Sequence, residues 1–309
     1  MSSSHVPSSY NDIESRLVNW ASTSPDVRAI VVYGSRALPA PPNGESDSLS
    51  FDIYSDLDLV LFTSSSDKYA DNSKWLDAIA EVWLAGLEDT GAGDPEWFVL
   101  FSGGLKVDII LLEEDVVLTR LINSSSYKQA FESGMRILYE SPESSLEDSA
   151  VKQQDPPYIA VTNTTQAIEF HHRINLILMK VVKAMQLLRR GELFNSLTML
   201  DCQLRPRLQE LIMMHAKATG NDALASKIRH RFLEQWVNPD LLFDYSKTFS
   251  TYDASEVTKA LLTSIEIISR VASEIAEVSE IRFPDEGQSN TLNWLRSKLE
   301  NQQTKQQPS

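Results

Sequence analysis

All segments of strand character in this chain fall before residue 141, and every regular pattern beyond residue 164 is helical. That separation predicts an α+β protein, with a small mixed β-sheet flanked by helices and then an α-helical bundle. With 309 residues, 42% of them hydrophobic, the chain can fill two cores. The expected layout is a disordered N-terminus over 1–9, a sheet domain over 10–141 and a polar, proline-containing linker over 142–163. A helical domain over 164–302 and a disordered tail over 303–309 complete it.

In the first domain, Ser9 or Asn11 is placed to cap a helix carrying Ile13, Leu17 and Trp20 on one side. The apolar run Val27 to Tyr33 stops at Gly34 and reads as a buried strand. Residues 38–54 are rich in Pro, Gly and Ser and form a loop. Asp56-Leu-Asp-Leu-Val-Leu-Phe62 then opens with polar/apolar alternation, as a second strand should. Trp75, Ile79, Val82, Trp83 and Leu87 share a helical spacing, which predicts a helix from Ser73 to Leu87. Glu96 to Phe101 and Gly104 to Leu112 read as strands joined by a hairpin at Ser102-Gly103-Gly104. One or two helices are expected between Asp115 and Ser133, and a short strand from Met135 to Tyr139. No glycine-rich phosphate loop is present.

The second domain holds three long helical patterns. Thr164 to Arg190 ends at Gly191. Glu192 to Thr219 carries a stripe of Leu193, Leu197, Leu200, Leu204, Leu208 and Leu211, and Asp253 to Glu280 carries Val257, Leu261, Ile265, Ile268 and Val271. Such stripes are bundle core. Cys202 is the only cysteine, so an internal disulfide and a thiolate metal site are excluded, and it is expected to be a small core residue.

No run of 18 apolar residues occurs, so nothing is expected to span a membrane, and the N-terminus lacks the apolar stretch of a secretory signal. A soluble, cytoplasmic protein is the plain expectation. The net charge of −15 is unevenly placed: residues 1–150 hold 9 Lys+Arg against 25 Asp+Glu, and the remainder is almost balanced. An acidic first half repels phosphate backbones and attracts metal cations or a polycationic small molecule.

The segment that carries chemistry is Gly34-Ser35-Arg36, then the loop, then Asp56-Leu57-Asp58. On a strand, residues i and i+2 project to one face, so Asp56 and Asp58 point the same way. Two carboxylates held side by side repel one another unless a cation lies between them. Mg²⁺ is commonly held by one or two carboxylates plus substrate phosphates, so this pair is a seat for Mg·ATP. A residue without a side chain at Gly34 lets backbone N–H groups and the Ser35 hydroxyl approach a phosphate. Asp108 lies on another apolar strand, where burial without a partner would be costly. Beside the other two it would complete a two-metal site.

Gly34-Ser35-Arg36-Ala37 followed by Asp56-Leu57-Asp58 resembles the signature of the polymerase-beta-like nucleotidyltransferases. Within that superfamily the chain is most similar to the aminoglycoside (streptomycin) 6-adenylyltransferases, over roughly residues 10–215. Lys106-Val107-Asp108 matches the group's basic-hydrophobic-Asp strand, and Arg136-Ile-Leu-Tyr-Glu140 is like the strand closing its first domain. Gln166-Ala-Ile-Glu169-Phe170 and Arg190-Gly191-Glu192-Leu193 are similar to segments of its helical domain. The loop after Ser35 is longer than in that group, and His171-His172 stands where an aromatic pair is expected.

The resemblance implies a nucleotidyltransferase domain that moves AMP from Mg·ATP to a hydroxyl of a small, cationic acceptor. It implies that Asp56, Asp58 and Asp108 hold two Mg²⁺ ions and that Gly34, Ser35 and Arg36 hold the triphosphate. Glu169 is the candidate general base for the acceptor hydroxyl. The competing role for Glu169 is to stabilise its helix N-terminus and pair with Arg173. Nucleotidylation of a protein side chain and a non-catalytic nucleotide-binding or antitoxin-like module are the other functions kept open. RNA and other nucleic-acid partners fit poorly with the acidity.

Overall fold

The computed structural model describes residues 7, 9–37, 55–90, 93–113, 134–142, 144, 166–220 and 233–306. The chain forms two compact units, 1–164 and 165–309.

The first unit opens with helix α1 (Tyr10–Ser22), capped by the Ser9 hydroxyl, which accepts from the Asp12 N–H at 3.3 Å. Tyr10, Ile13, Leu17 and Ala21 recur at helical spacing and are all buried, so α1 presents one apolar stripe. The stripe lies on a six-stranded sheet built from β1 (Val27–Tyr33), β2 (Leu57–Thr63), β3 (Val82–Asp89), β4 (Pro95–Phe101), β5 (Leu105–Glu113) and β6 (Met135–Glu140). The strand order is β3-β4-β5-β2-β1-β6. Only β2 and β5 run parallel; every other neighbouring pair is antiparallel. The sheet is therefore mixed, as expected.

Period-two alternation divides the sheet into two faces. Leu57, Leu59 and Leu61 of β2 join Val107, Ile109 and Leu111 of β5 in the main core, together with the buried face of α1. Val60, Phe62, Ile110 and Leu112 fall on the other face, with Val31 and Tyr33 of β1, in a smaller apolar cluster.

The helix expected over 73–87 is absent. A short helix, α2 (Ser66–Ala70), precedes a 3₁₀ turn at Lys74–Ala78, after which the chain enters β3 and pairs with β4, from Val82 opposite Phe101 to Asp89 opposite Pro95. The aromatic and aliphatic spacing that suggested a helix is also served by these two elements. Trp75 stacks on Trp20 at 4.9 Å between ring centroids, and Leu84 points into the core. Gly86 disfavours a helix interior by about 1 kcal/mol, and β4 supplies a full ladder partner that local spacing does not reveal. The segment 115–133 lies outside the described residues.

In the second unit, α3 (Gln166–Arg189) stops where the sequence predicts. Gly191 adopts φ +80°, the Glu192 N–H reaches the Leu187 carbonyl at 2.9 Å, and the Gly191 N–H reaches that of Leu188 at 3.1 Å. This is a Schellman stop, which needs glycine in the left-handed region. Next come α4 (Leu193–Met199), a π-helical turn (Leu200–Leu204) and α5 (Arg205–Ala218), so the long leucine stripe runs through a change of helical winding. Cys202 sits on that turn and is exposed, contrary to the core placement expected. Leu200 and Leu204, one turn apart, keep the buried side, and Cys202, two residues from each, falls on the opposite side.

Two short helices, α6 (Leu233–Trp236) and α7 (Pro239–Ser246), precede the long α8 (Ala254–Val278). The Asp253 carboxylate caps α8 by accepting from the Glu256 N–H at 3.0 Å. Its buried side packs on α3 and α5. A further helix, α9 (Glu286–Gln306), runs past residue 302 into the segment expected to be a disordered tail. No helix among the described residues is long and apolar enough to cross a membrane.

Candidate active site

The acidic constellation follows from strand register. Parallel pairing of β2 with β5 sets Asp58 directly beside Asp108, with Leu57 beside Val107 and Leu59 beside Ile109. Because the leucines face the main core, the aspartates project to the opposite face, at the end where the smaller apolar cluster stops. Asp56, just before β2, is buried, as is Asp108, while Asp58 is half-buried.

Lys106 stands on the same face of β5 as Asp108. Its ammonium donates to Asp56 Oδ2 at 3.1 Å and to Asp108 Oδ1 at 2.6 Å, with a still shorter contact to Asp108 Oδ2. It is 3% exposed, with the Phe98 ring 5.7 Å away. Burial opposes the charged form, but the Asp108 and Asp56 charges outweigh it and hold Lys106 above the ordinary lysine range. Sequence reasoning treated Lys106 as a motif residue and missed this bridge. Its i, i+2 relation to Asp108 was the available signal; the reach to Asp56 depends on register.

Gly34 ends β1, where Tyr33 is paired with Asp58. It has φ +71°, and a Cβ there would lie 2.8 Å from Asp58 Oδ2. Glycine is required twice over, for the left-handed backbone and for the approach of the carboxylate. Gly34–Ala37 then forms a 3₁₀ turn that holds Ser35 and Arg36 beside the acids. Arg36 Nε donates to the Ser55 carbonyl at 2.9 Å, next to Asp56, and its guanidinium lies 3.7 Å over the Tyr10 ring. The Tyr10 hydroxyl accepts from the Lys106 backbone N–H at 3.3 Å, and burial with the nearby Asp56 charge pushes its pKa up. Tyr10, a second residue that sequence reasoning missed, thus ties the turn to β5.

Six of the seven expected site residues, Gly34, Ser35, Arg36, Asp56, Asp58 and Asp108, gather in this unit. Glu169 belongs to the second unit, in the first turn of α3, where it is exposed and bonded to Arg173 at 2.7 Å. His171 Nδ1 lies 3.3 Å from the Gln288 amide oxygen.

Three carboxylates supply only hard oxygen donors, which suits Mg²⁺. No group of three or more His, Cys, Asp or Glu among the described residues forms a ready cage for a metal.

A mixed sheet with these side chains at one end of its strands suits nucleotidyl transfer, and the chain is an adenylyltransferase by its kinship. Residues 8–298 match the profile described as Streptomycin adenylyltransferase, and the chain belongs to that family. Among solved structures it is similar to the crystal structure of an aminoglycoside 6-adenyltransferase from Bacillus subtilis. The identity is 14%, with 93% of this chain and 96% of that chain covered, at a TM-score of 0.38. No curated protein matches the chain.

Proposed function

We propose that the chain transfers AMP from Mg·ATP to a hydroxyl of a small, cationic, polyhydroxylated acceptor of the aminoglycoside type. The observation that carries this reading is the shared face of Asp56, Asp58 and Asp108 beside the Gly34 turn. In the reaction, the acceptor oxygen attacks the α-phosphorus in line. An O–Pα bond forms as the bond from Pα to the bridging oxygen of pyrophosphate breaks, and the acceptor proton passes to a base. The products are the adenylylated acceptor, pyrophosphate and a proton.

Asp56, Asp58 and Asp108 are the residues that would hold the divalent cation. When bound, it offsets charge on the triphosphate and the leaving pyrophosphate. Gly34 and Ser35 offer backbone N–H groups and a hydroxyl to the triphosphate, and Arg36 adds positive charge there. Positioning of the two reactants and neutralisation of charge supply most of the acceleration. Glu169 is the candidate proton acceptor, and its ion pair with Arg173 supports the competing role of steadying α3 equally well. The acidity of the first half suits a cationic acceptor.

The deciding experiment is pyrophosphate release from Mg·ATP across streptomycin, other aminoglycosides and lincosamides, with Asp56→Asn and Glu169→Gln beside the wild type. Release is expected to require one acceptor and to vanish in Asp56→Asn. A slower Glu169→Gln, by about 10²-fold or more, assigns the base; an unchanged rate assigns Glu169 to helix stability. Nucleotide binding without release for any acceptor would sink the small-acceptor reading in favour of a protein hydroxyl or a nucleotide-binding module.

A further inference from the structure

We propose that Tyr10 positions Arg36 for the triphosphate, so that a ring from the start of α1 sets the affinity for nucleotide. The inference rests on the reading above that Arg36 meets the triphosphate, and deepens it. The Arg36 guanidinium lies 3.7 Å over the centroid of the Tyr10 ring, and its Nε donates to the Ser55 carbonyl at 2.9 Å. Stacking holds the plane of the group, and the hydrogen bond holds its edge. Together they fix a side chain that would otherwise sample many rotamers.

Both anchors are themselves held in place. Tyr10 is the first residue of α1, is 7% exposed and packs in the main core. At the far end of its ring the hydroxyl accepts from the Lys106 N–H of β5 at 3.3 Å. Fixed by its backbone in α1 and by its hydroxyl on β5, the ring cannot swing from under Arg36. Ser55 is buried as well.

An aromatic partner has a chemical reason. A carboxylate would hold a guanidinium firmly but would cancel its charge. A neutral ring face attracts the cation through its quadrupole and leaves the full positive charge for an anion. A stacked guanidinium also keeps its N–H bonds in its own plane, the fork geometry that meets phosphate oxygens in pairs. An arginine ordered before nucleotide arrives spares binding the cost of ordering it. Tyr10 acts through Arg36 and is therefore a positioning residue.

The test is a double-mutant cycle on the full chain, read by calorimetric binding of the non-cleavable α,β-methylene-ATP with Mg²⁺. Arg36→Gln is expected to weaken binding by about 10-fold or more. Tyr10→Met, with folding checked by melting temperature, is expected to weaken it by about 3–10-fold, the cost of ordering one free arginine. Tyr10→Phe keeps the ring face and is expected to bind as the wild type does. In the Arg36→Gln background, Tyr10→Met is expected to add nothing. Pentafluorophenylalanine at position 10 keeps the shape of the Tyr10→Phe ring and reverses its charge pattern, so binding is expected to weaken as in Tyr10→Met.

Weakened binding in Arg36→Gln with unchanged binding in Tyr10→Met overturns the inference and leaves the triphosphate role of Arg36 standing. A Tyr10→Met effect that persists in full beside Arg36→Gln also overturns it, because the ring would then act through the fold. Unchanged binding in Arg36→Gln overturns both. If Tyr10→Met does not fold, the fluorinated ring decides, and an affinity equal to that of Tyr10→Phe overturns the inference.

Discussion

The two faces of β2 and β5 use the same backbone ladder for opposite ends. On one face Leu57, Leu59 and Leu61 meet Val107, Ile109 and Leu111 in the main core. On the other, Val60, Phe62, Ile110 and Leu112 give way, towards the start of the two strands, to Asp58, Lys106 and Asp108. The charges thus sit on strands whose other side chains are locked into a core. Reactive groups placed this way lose little in reorganisation, because the scaffold has already fixed them.

Substitutions on each face separate the two roles. Asp58→Asn keeps shape and removes charge, so pyrophosphate release is expected to fall by about 10³-fold or more while the melting temperature holds. If activity persists, the acid cluster on this face is not the reacting centre. Leu61→Ala, on the buried face, is expected to cost about 2–5 kcal/mol in denaturant unfolding, with the rate per folded molecule unchanged. A selective loss of rate there would show that the faces are coupled. Gly34→Ala is expected to cost about 1–2 kcal/mol through its left-handed backbone, and to lower activity by pushing on Asp58. Wild-type activity in that variant would show that the close approach of Gly34 to Asp58 has no part in the reaction.

Much of this arrangement was legible in residue order. The i, i+2 spacing of Asp56 and Asp58 gave a shared direction, and the apolar run from Ile109 to Leu112 marked Asp108 as an acid needing company. Adjacency of Asp58 and Asp108 needed the parallel pairing of strands about fifty residues apart, which no local pattern encodes. The same limit hid the Lys106 bridge to Asp56. It also produced the helix expected over 73–87, where Trp75, Ile79, Val82 and Leu87 satisfy a 3.6-residue period while their real partners lie on α1 and β4. Cys202 was misplaced because its apolar type was followed rather than the leucine stripe, whose helical phase puts position 202 on the far side from Leu200 and Leu204. Glu169 was readable as a helix-start carboxylate, and its pairing with Arg173 followed from i, i+4 spacing.

The parallel register of β2 and β5 has a consequence for how the gene tolerates insertions and deletions. Side chains alternate with a period of two, so inserting one residue between Lys106 and Val107, or removing Val107, would put Lys106 and Asp108 on opposite faces of β5. The strands are thus a reading frame in space, intolerant of single-residue shifts.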